Sequence, residues 1–477
     1  MNAVYRGGNT NIASGMQAAI DLVFKRSYRP DVNKLMIVLT DGQDTSDVVT
    51  QHQRAAALNI TTYAIGIGSD IDLVELVQIT GNKNNVFNVT NFNGLLGFLS
   101  TFCHAISHNS GRTCPCTISN IWLDIVIGID VSTGVNGQIN GIKTMLAQII
   151  GALTVAQSGT QVSRVALYTF AGNDGNPSVN VIAYLGTFNS TDDAVNALFN
   201  IQSTSIVDVP LLKALTTAAG IFRRSDNRPN ARDVLILLSS KGADCTPSGS
   251  APADLCRTAS DMNENGVEII SVQLDLGAGQ YFDGLGNPCY RLQNDGHQAH
   301  NIINAFCQIN CFCTKGYEQY IPYDNTCQKM GECVQGVEDG ASWNFAKLGC
   351  QRQNAFLADE LSTQKHAFLQ LLAIKISGSG ARMIPYWIGL NDKSPSGVYS
   401  WDRGTAPSIP LLPGDYTIWP SGPPNDQNGQ KQCITADQYN HGFNLAWINQ
   451  PCNSFDFTPA YFCQKNTCDT DNYCATP

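Results

Sequence analysis

The chain has 477 residues, 43% hydrophobic and 14% charged, enough for two to four domains and unlike a long disordered tail. Its net charge of −10 argues against a nucleic-acid footprint, which needs clustered Lys and Arg. No apolar run approaches the ~18 residues that span a bilayer.

Seventeen cysteines, twelve of them between Cys289 and Cys474, point to an oxidising compartment and place a disulfide-dense module in the C-terminal part. Sequons at Asn59, Asn88 and Asn189 agree with export. The opening residues, Met1 to Gly8, lack the apolar core of an export signal, so the natural N-terminus is expected to lie upstream.

Residues 1–106 read as an α/β unit. After Gly7-Gly8-Asn9-Thr10-Asn11, the residues Ile12, Met16, Ala19, Ile20, Val23 and Phe24 share one helical face. Leu35–Leu39 is a short apolar run leading into Thr40-Asp41-Gly42, the pattern of a parallel strand buried on both faces. Ala64–Gly68 is a second such strand, and Leu73–Ile79 a further helix. The sequences G-G-N-T-N, V-L-T-D-G and Y-A-I-G-I-G, in that order, resemble the C-terminal two thirds of a von Willebrand factor A domain. The resemblance implies a divalent cation at the C-terminal edge of the sheet, with Thr10 and Asp41 in two ligand positions. It also implies a central strand ending in D-x-S-x-S, which would precede residue 1. This copy is therefore expected to be N-terminally incomplete and its sheet split. By residue chemistry alone, Thr10 serves equally as a helix cap and Asp41 as the end of a strand in a turn.

Residues 107–119 form a connector carrying Cys114-Pro115-Cys116. One intervening residue is too few for a zinc knuckle. Disulfides are expected instead, with Cys103 an available partner.

Residues 120–310 repeat the first unit and supply the missing strand, Leu123–Asp130, running into Val131-Ser132-Thr133-Gly134. Arg26-Ser27 with Arg29-Pro30 recurs as Arg224-Ser225 with Arg228-Pro229, and Leu35–Leu39 recurs as Val234–Leu238. This resembles a second, complete von Willebrand A domain, a doubly wound parallel α/β fold. The resemblance puts Asp130 and Ser132 in the first two ligand positions but Gly134 in the third. Asp208 stands for the threonine and Ser240, beside Lys241, for the distal aspartate. A hard cation loses affinity as oxygen ligands go, so this copy is expected to act as a metal-free scaffold or partner surface. Cys245 and Cys256, flanking a Pro/Ser/Gly loop, read as a local disulfide.

From residue 311 the composition shifts to Cys, Trp, Tyr, Asn and Pro. Cys311, Cys313, Cys327 and Cys333 bracket a hairpin whose pairing the sequence leaves open. Trp343, Ala346, Leu348 and Cys350 open a first helix; Leu357, Leu361, Phe368 and Leu371-Leu372 supply a second, with Asp359 and Glu360 on its solvated face. Then come Trp387-Ile388-Gly389-Leu390, Pro423-Pro424-Asn425, Cys433 and Trp447-Ile448-Asn449, before Cys463. Residues 311–466 thus resemble an α+β C-type lectin-like domain, and 467–477 a tail closed by Cys468 and Cys474. The resemblance implies the pairs Cys350–Cys463 and Cys433–Cys452, the second pinning the loop that carries any ligand site. It also implies five calcium-ligand positions. Here they hold Pro423, Asn425, Lys431, Ile448 and Asn449, with no carboxylate among them, so no calcium is expected at the loop. Asn425, Asp426, Lys431 and Asn449 remain its candidate binding residues. Trp419 and Tyr416 beside it are candidates for stacking on a ligand and equally for the core.

No nucleophile elbow, H-E-x-x-H or phosphate loop is present, and His297 with His300 lacks a third ligand. The expectation is a secreted, non-enzymatic recognition or adhesion protein that binds protein or glycan. Its rivals are a calcium-dependent lectin drawing on Asp426 and Asp437, and a disulfide-linked matrix protein.

Overall fold

The computed structural model describes residues 10–25, 34–41, 44–58, 60–68, 71–82, 85–89, 112–135, 137–173, 175–224, 228–274, 282–293, 296–377, 384–393, 398–412, 415–420, 430–438 and 445–475. Two units emerge, one built on residues 1–110 and the other on most of 111–477.

In the first unit α1 (Ile12–Ala18) runs directly into a wider helical turn, Ala19–Phe24. There follow β1 (Lys34–Thr40), α2 (Val48–Ala57), β2 (Ile60–Ile67), α3 (Leu73–Thr80) and β3 (Val86–Val89). The strands form a parallel sheet in the order β1-β2-β3. Asp47 and Asp72 cap α2 and α3 by accepting from Thr50 N and Val74 N. Ile20, Met36, Ala64, Leu76 and Ile79 form the core between helices and sheet.

The second unit begins with β4 (Leu123–Asp130), every residue of which is buried. It continues through α4 (Ile139–Gly151), β5 (Arg164–Asn173), β6 (Asn176–Ala183), α5 (Thr191–Phe199) and α6 (Leu211–Phe222). Then come β7 (Arg232–Ser239), α7 (Ala253–Glu264), β8 (Val267–Gln273), β9 (Arg291–Leu292) and α8 (Gln298–Ile309). The sheet order is β9-β8-β7-β4-β5-β6, parallel except for β6. Apolar clusters line both faces, which is why β4 and β7 read as continuous apolar runs.

The repeat explains what differs between the copies. β7 lies between β4 and β8, with Val234–Ser239 all buried. Its counterpart β1 pairs with β2, and among the described residues no strand covers its other edge. Ile37 and Leu39 stand 41% and 53% exposed there, whereas their counterparts Ile236 and Leu238 are fully buried.

The lectin-like part starts with β10 (Glu318–Gln319), β11 (Glu332–Val337), α9 (Trp343–Gln351) and β12 (Phe356–Leu357). It continues with α10 (Thr363–Ile376), β13 (Tyr386–Asn391) and β14 (Ser400–Arg403). β15 (Cys433–Gln438), β16 (Leu445–Gln450) and β17 (Ala460–Asn466) complete it. β10, β11, β17, β13 and β14 lie side by side, β12 adds to β17, and β15 joins β13 to β16. The second helix starts later than the apolar pattern suggests. Leu357 belongs to a strand, and Ser362 caps α10 by accepting from Lys365 N.

Among the described residues, sixteen cysteines form eight disulfides. Cys350–Cys463, Cys433–Cys452, Cys245–Cys256 and Cys468–Cys474 are four of them. The connector pairs differently from the expectation: Cys114 joins Cys311 and Cys116 joins Cys307, while Cys103 lies outside the described residues. Nor do all four hairpin cysteines pair among themselves. Only Cys313–Cys333 is internal, and Cys327 reaches Cys289 in the preceding domain. Two bridges, Cys114–Cys311 and Cys289–Cys327, therefore staple the connector and the second von Willebrand A-like fold to the hairpin, while Cys116–Cys307 ties the connector to α8. Closing Cys114–Cys311, 197 residues apart, contributes about 5 kcal/mol on the chain-entropy model; Cys116–Cys307 then closes only a short remaining loop and adds far less.

Candidate functional sites

At the C-terminal end of β4 the Asp130 carboxylate is buried, and both its oxygens accept hydrogen bonds. Its Oδ1 accepts from Ser132 N at 2.8 Å; its Oδ2 accepts from Ser240 N at 2.9 Å and Ser240 Oγ at 2.6 Å. The Ser240 hydroxyl thus occupies Asp130 Oδ2 and brings no carboxylate of its own to the site. A Cβ on Gly134 would stand 2.5 Å from Ser240 Oγ, so the third ligand position has no room for a side chain. Asp208 is exposed, and its backbone carbonyl accepts from Gly172 N. Thr204 shapes the neighbouring loop instead, its N–H and hydroxyl both donating to Val131 O. These residues do not fit a divalent ion. Gly134→Ser, which would restore the third ligand type, is expected to destabilise the chain by about 1–3 kcal/mol through overpacking. Chemical denaturation reads the loss, and unchanged stability would mean that Ser240 moves aside freely.

In the first copy Thr10 and Asp41 are both exposed. Thr10 is not the helix cap: Asn11 Oδ1 accepts from Ser14 N. Asp44 and Ser46, which the motif reading passed over, hold the rest of that helix end. Asp44 Oδ2 accepts from Ile12 N at 2.5 Å, and Ser46 Oγ accepts from Ala13 N at 3.0 Å. The Ser46 hydroxyl holds the Asp44 carboxyl below its ordinary range. Glu75 accepts from Asp44 N, and burial pushes its carboxyl up. The D-T-S triplet at Asp44-Thr45-Ser46 was the available signal, since Ser and Asp compete for free helix N–H groups.

The lectin-like part holds a buried polar centre that sequence reasoning misplaced. Asp359 and Glu360 precede α10 and are 1% and 0% exposed. Asp359 pairs with Arg403 at 2.6 Å and accepts from Gln464 Nε2. Glu360 accepts from Tyr386 OH at 2.7 Å and Trp447 Nε1 at 2.6 Å, and lies 2.9 Å from His366 Nδ1. Burial works against the Glu360 charge, but His366, Trp447 and Tyr386 outweigh it and leave the carboxyl below its ordinary value. Burial likewise works against the His366 charge, and Glu360 reverses it, leaving the imidazole raised. The helix cap at Ser362 was the cue to this arrangement, because it moves the two acids off the helix.

From this centre an aromatic stack leads to the loop. Trp447 meets Trp401 and Trp419 edge-on, with centroids at 5.5 and 5.1 Å, and Trp419 packs on Tyr399. Trp419 is thus half-buried in the stack, as is Tyr416 in its own surroundings. Asn449 Nδ2 donates to Tyr399 OH at 2.7 Å and to Lys431 O at 2.9 Å. Both amide hydrogens are spent within the protein. Lys431 is exposed; Asn425 and Asp426 lie outside the described residues. Asp437 stands opposite Ala446, three residues along the ladder from the Ile434–Asn449 pair, about 10 Å away at strand rise. Among the described residues no carboxylate joins Asn449 and Lys431, which does not fit calcium. Asn88 and Asn189 are exposed, while Asn59 lies outside the described residues. His297 and His300 are exposed at the start of α8. Among the described residues no helix is long and apolar enough to cross a membrane.

Comparison with known proteins matches these features. The von Willebrand factor type A domain family matches residues 1–101 and 124–297, more than half of the chain, and the lectin C-type domain family matches residues 339–465. C-type lectin domain-containing protein 160 of Caenorhabditis elegans is 24% identical over 76% of this chain and 56% of its own length. The human collagen alpha-6(VI) chain is 27% identical over 50% of this chain and 10% of its own. The chain therefore spans little more than half of the first relative and a tenth of the second. Proximal thread matrix protein 1 of the mussel byssus, solved with a zinc-occupied MIDAS motif, aligns at 20% identity and a TM-score of 0.32, over 63% of this chain and 75% of that one. The chain belongs to the von Willebrand factor type A domain family, with two copies of the domain, and carries a C-type lectin domain after them.

Proposed function

We propose that the protein is a secreted, non-enzymatic recognition or adhesion molecule whose C-type lectin domain binds extracellular protein or glycan without calcium. The second von Willebrand A domain serves it as a metal-free scaffold. The observation that carries this reading is the Asn449 amide, whose hydrogens go to Tyr399 and to the Lys431 carbonyl. In a calcium-dependent site that side chain would turn its oxygen to the ion, together with carboxylates that neutralise it. The matched families are lectin and adhesion domains, and the disulfides suit an oxidising exterior.

The test is a glycan and matrix-protein array probed with the whole chain, with and without chelator. The same ligands are expected in both, and Asn449→Ala should weaken them alike. Binding abolished by chelator, restored by calcium and absent in Asn449→Ala would establish a calcium-dependent lectin instead.

A further inference from the structure

A cleft of about 270 Å³ lies where the second von Willebrand A domain meets the lectin hairpin. Arg232 at the start of β7 and Glu268 at the start of β8 form one wall; Phe312, Tyr317 and Lys329 are among the residues of the other. Cys289–Cys327 links the domain to the hairpin beside the cleft, and Cys114–Cys311 ties the connector to the hairpin.

Its charges are left unmatched. The Arg232 guanidinium lies over the Phe312 ring, 4.4 Å from the centroid. Among the described residues neither Arg232 nor Lys329 makes an ion pair, and Glu268 influences both without touching either. Burial lowers the pKa of both cations; Glu268 opposes this for both, Asp233 also for Arg232, and Arg232 adds to the lowering at Lys329. A third cation, Lys465, caps the Tyr317 ring at 3.9 Å. The polar side chains of the hairpin are already engaged: Tyr317 OH donates to Gln353, and Gln319 Nε2 donates to Met330 O. The donors left to face the cleft are a guanidinium fork and an ammonium, a pair suited to tetrahedral oxyanions.

We propose that this cleft binds a sulfate or phosphate group, free or carried on a small ligand, between Arg232 and Lys329. Binding would relieve the repulsion between the two cations, whereas Glu268 limits affinity and selects against larger polyanions.

The experiment titrates the whole protein with inorganic sulfate, inorganic phosphate and a monosaccharide sulfate ester, by calorimetry at ionic strength held constant with chloride. Saturable binding in roughly the millimolar range is expected. Lys329→Gln should weaken it by about tenfold, the loss of one charge-assisted contact. Glu268→Gln should tighten it severalfold, a gain that a misfolded variant would not give. Arg257→Gln, on the exposed face of α7, should leave it unchanged. Tighter binding of the ester identifies a carried group, and equal binding a free anion. The proposal is overturned if no oxyanion saturates the protein, or if Lys329→Gln and Glu268→Gln do not act in opposite directions.

Discussion

Glu360→Ala is expected to lower the stability of the lectin domain by about 3–5 kcal/mol, the cost of leaving one partner of a buried ion pair alone. The carboxylate is fully buried and takes hydrogen bonds from Tyr386, Trp447 and His366, so its removal also orphans an indole N–H and a phenol O–H. Denaturant unfolding followed by tryptophan fluorescence reads the loss, since Trp447 is one of the partners. The pair also sets a pH dependence. The His366 pKa is raised above its ordinary 6.5, so its contribution is full below that pH and fades as the pH climbs through the raised value. The Glu360 pKa is lowered from its ordinary 4.5, so its contribution is full above that pH and fades as the pH falls through the lowered value. The pair therefore adds most between pH 4.5 and 6.5, and Glu360→Ala should flatten the stability profile on its flanks. A loss below about 1 kcal/mol with an unchanged profile would remove Glu360 from the centre of this domain.

Replacing Cys350 and Cys463 together by alanine should cost about 5 kcal/mol, because their bridge spans 113 residues of the unfolded chain. The Cys468–Cys474 bridge spans 6, and its removal should cost about 2 kcal/mol on the same model. Equal costs from the two double substitutions, measured in the same denaturation experiment, would show that native packing rather than loop closure governs both. Cys350 and Cys463 are fully buried within a cluster that includes Trp343 and Trp387, so packing reinforces the first effect.

The residues that announced the architecture were those with a repeated pattern. Apolar runs such as Leu123–Asp130 could be recognised because both faces of a parallel sheet are covered, and the repeat at Val234–Leu238 marked a second copy. In the first copy no strand among the described residues covers the second edge of β1, where Ile37 and Leu39 are exposed. The cross-links to Cys307 and Cys311 were not legible, because pairing depends on how the connector packs on α8 and the hairpin and not on spacing along the chain. Glu360 was misplaced for a related reason. An acid followed by leucine, serine and threonine looks like a polar helical face, and only the register of the Ser362 cap turns it inward. The residue types around Asp130 could be read from the sequence, but the hydrogen bond that Ser240 gives Asp130 is a matter of geometry.

The connector and the tail meet at one place. Arg112 pairs with Asp469 at 2.9 Å, Thr117 N donates to the Thr470 hydroxyl, and Trp122 packs edge-on against Tyr473. Strand entry and chain exit of this unit are thus neighbours, with the Cys114–Cys311 bridge beside them. Tension applied between the connector and the C-terminal end would pass through that short junction and bypass both folded bodies. The first load would fall on the Arg112–Asp469 pair and the Trp122–Tyr473 contact.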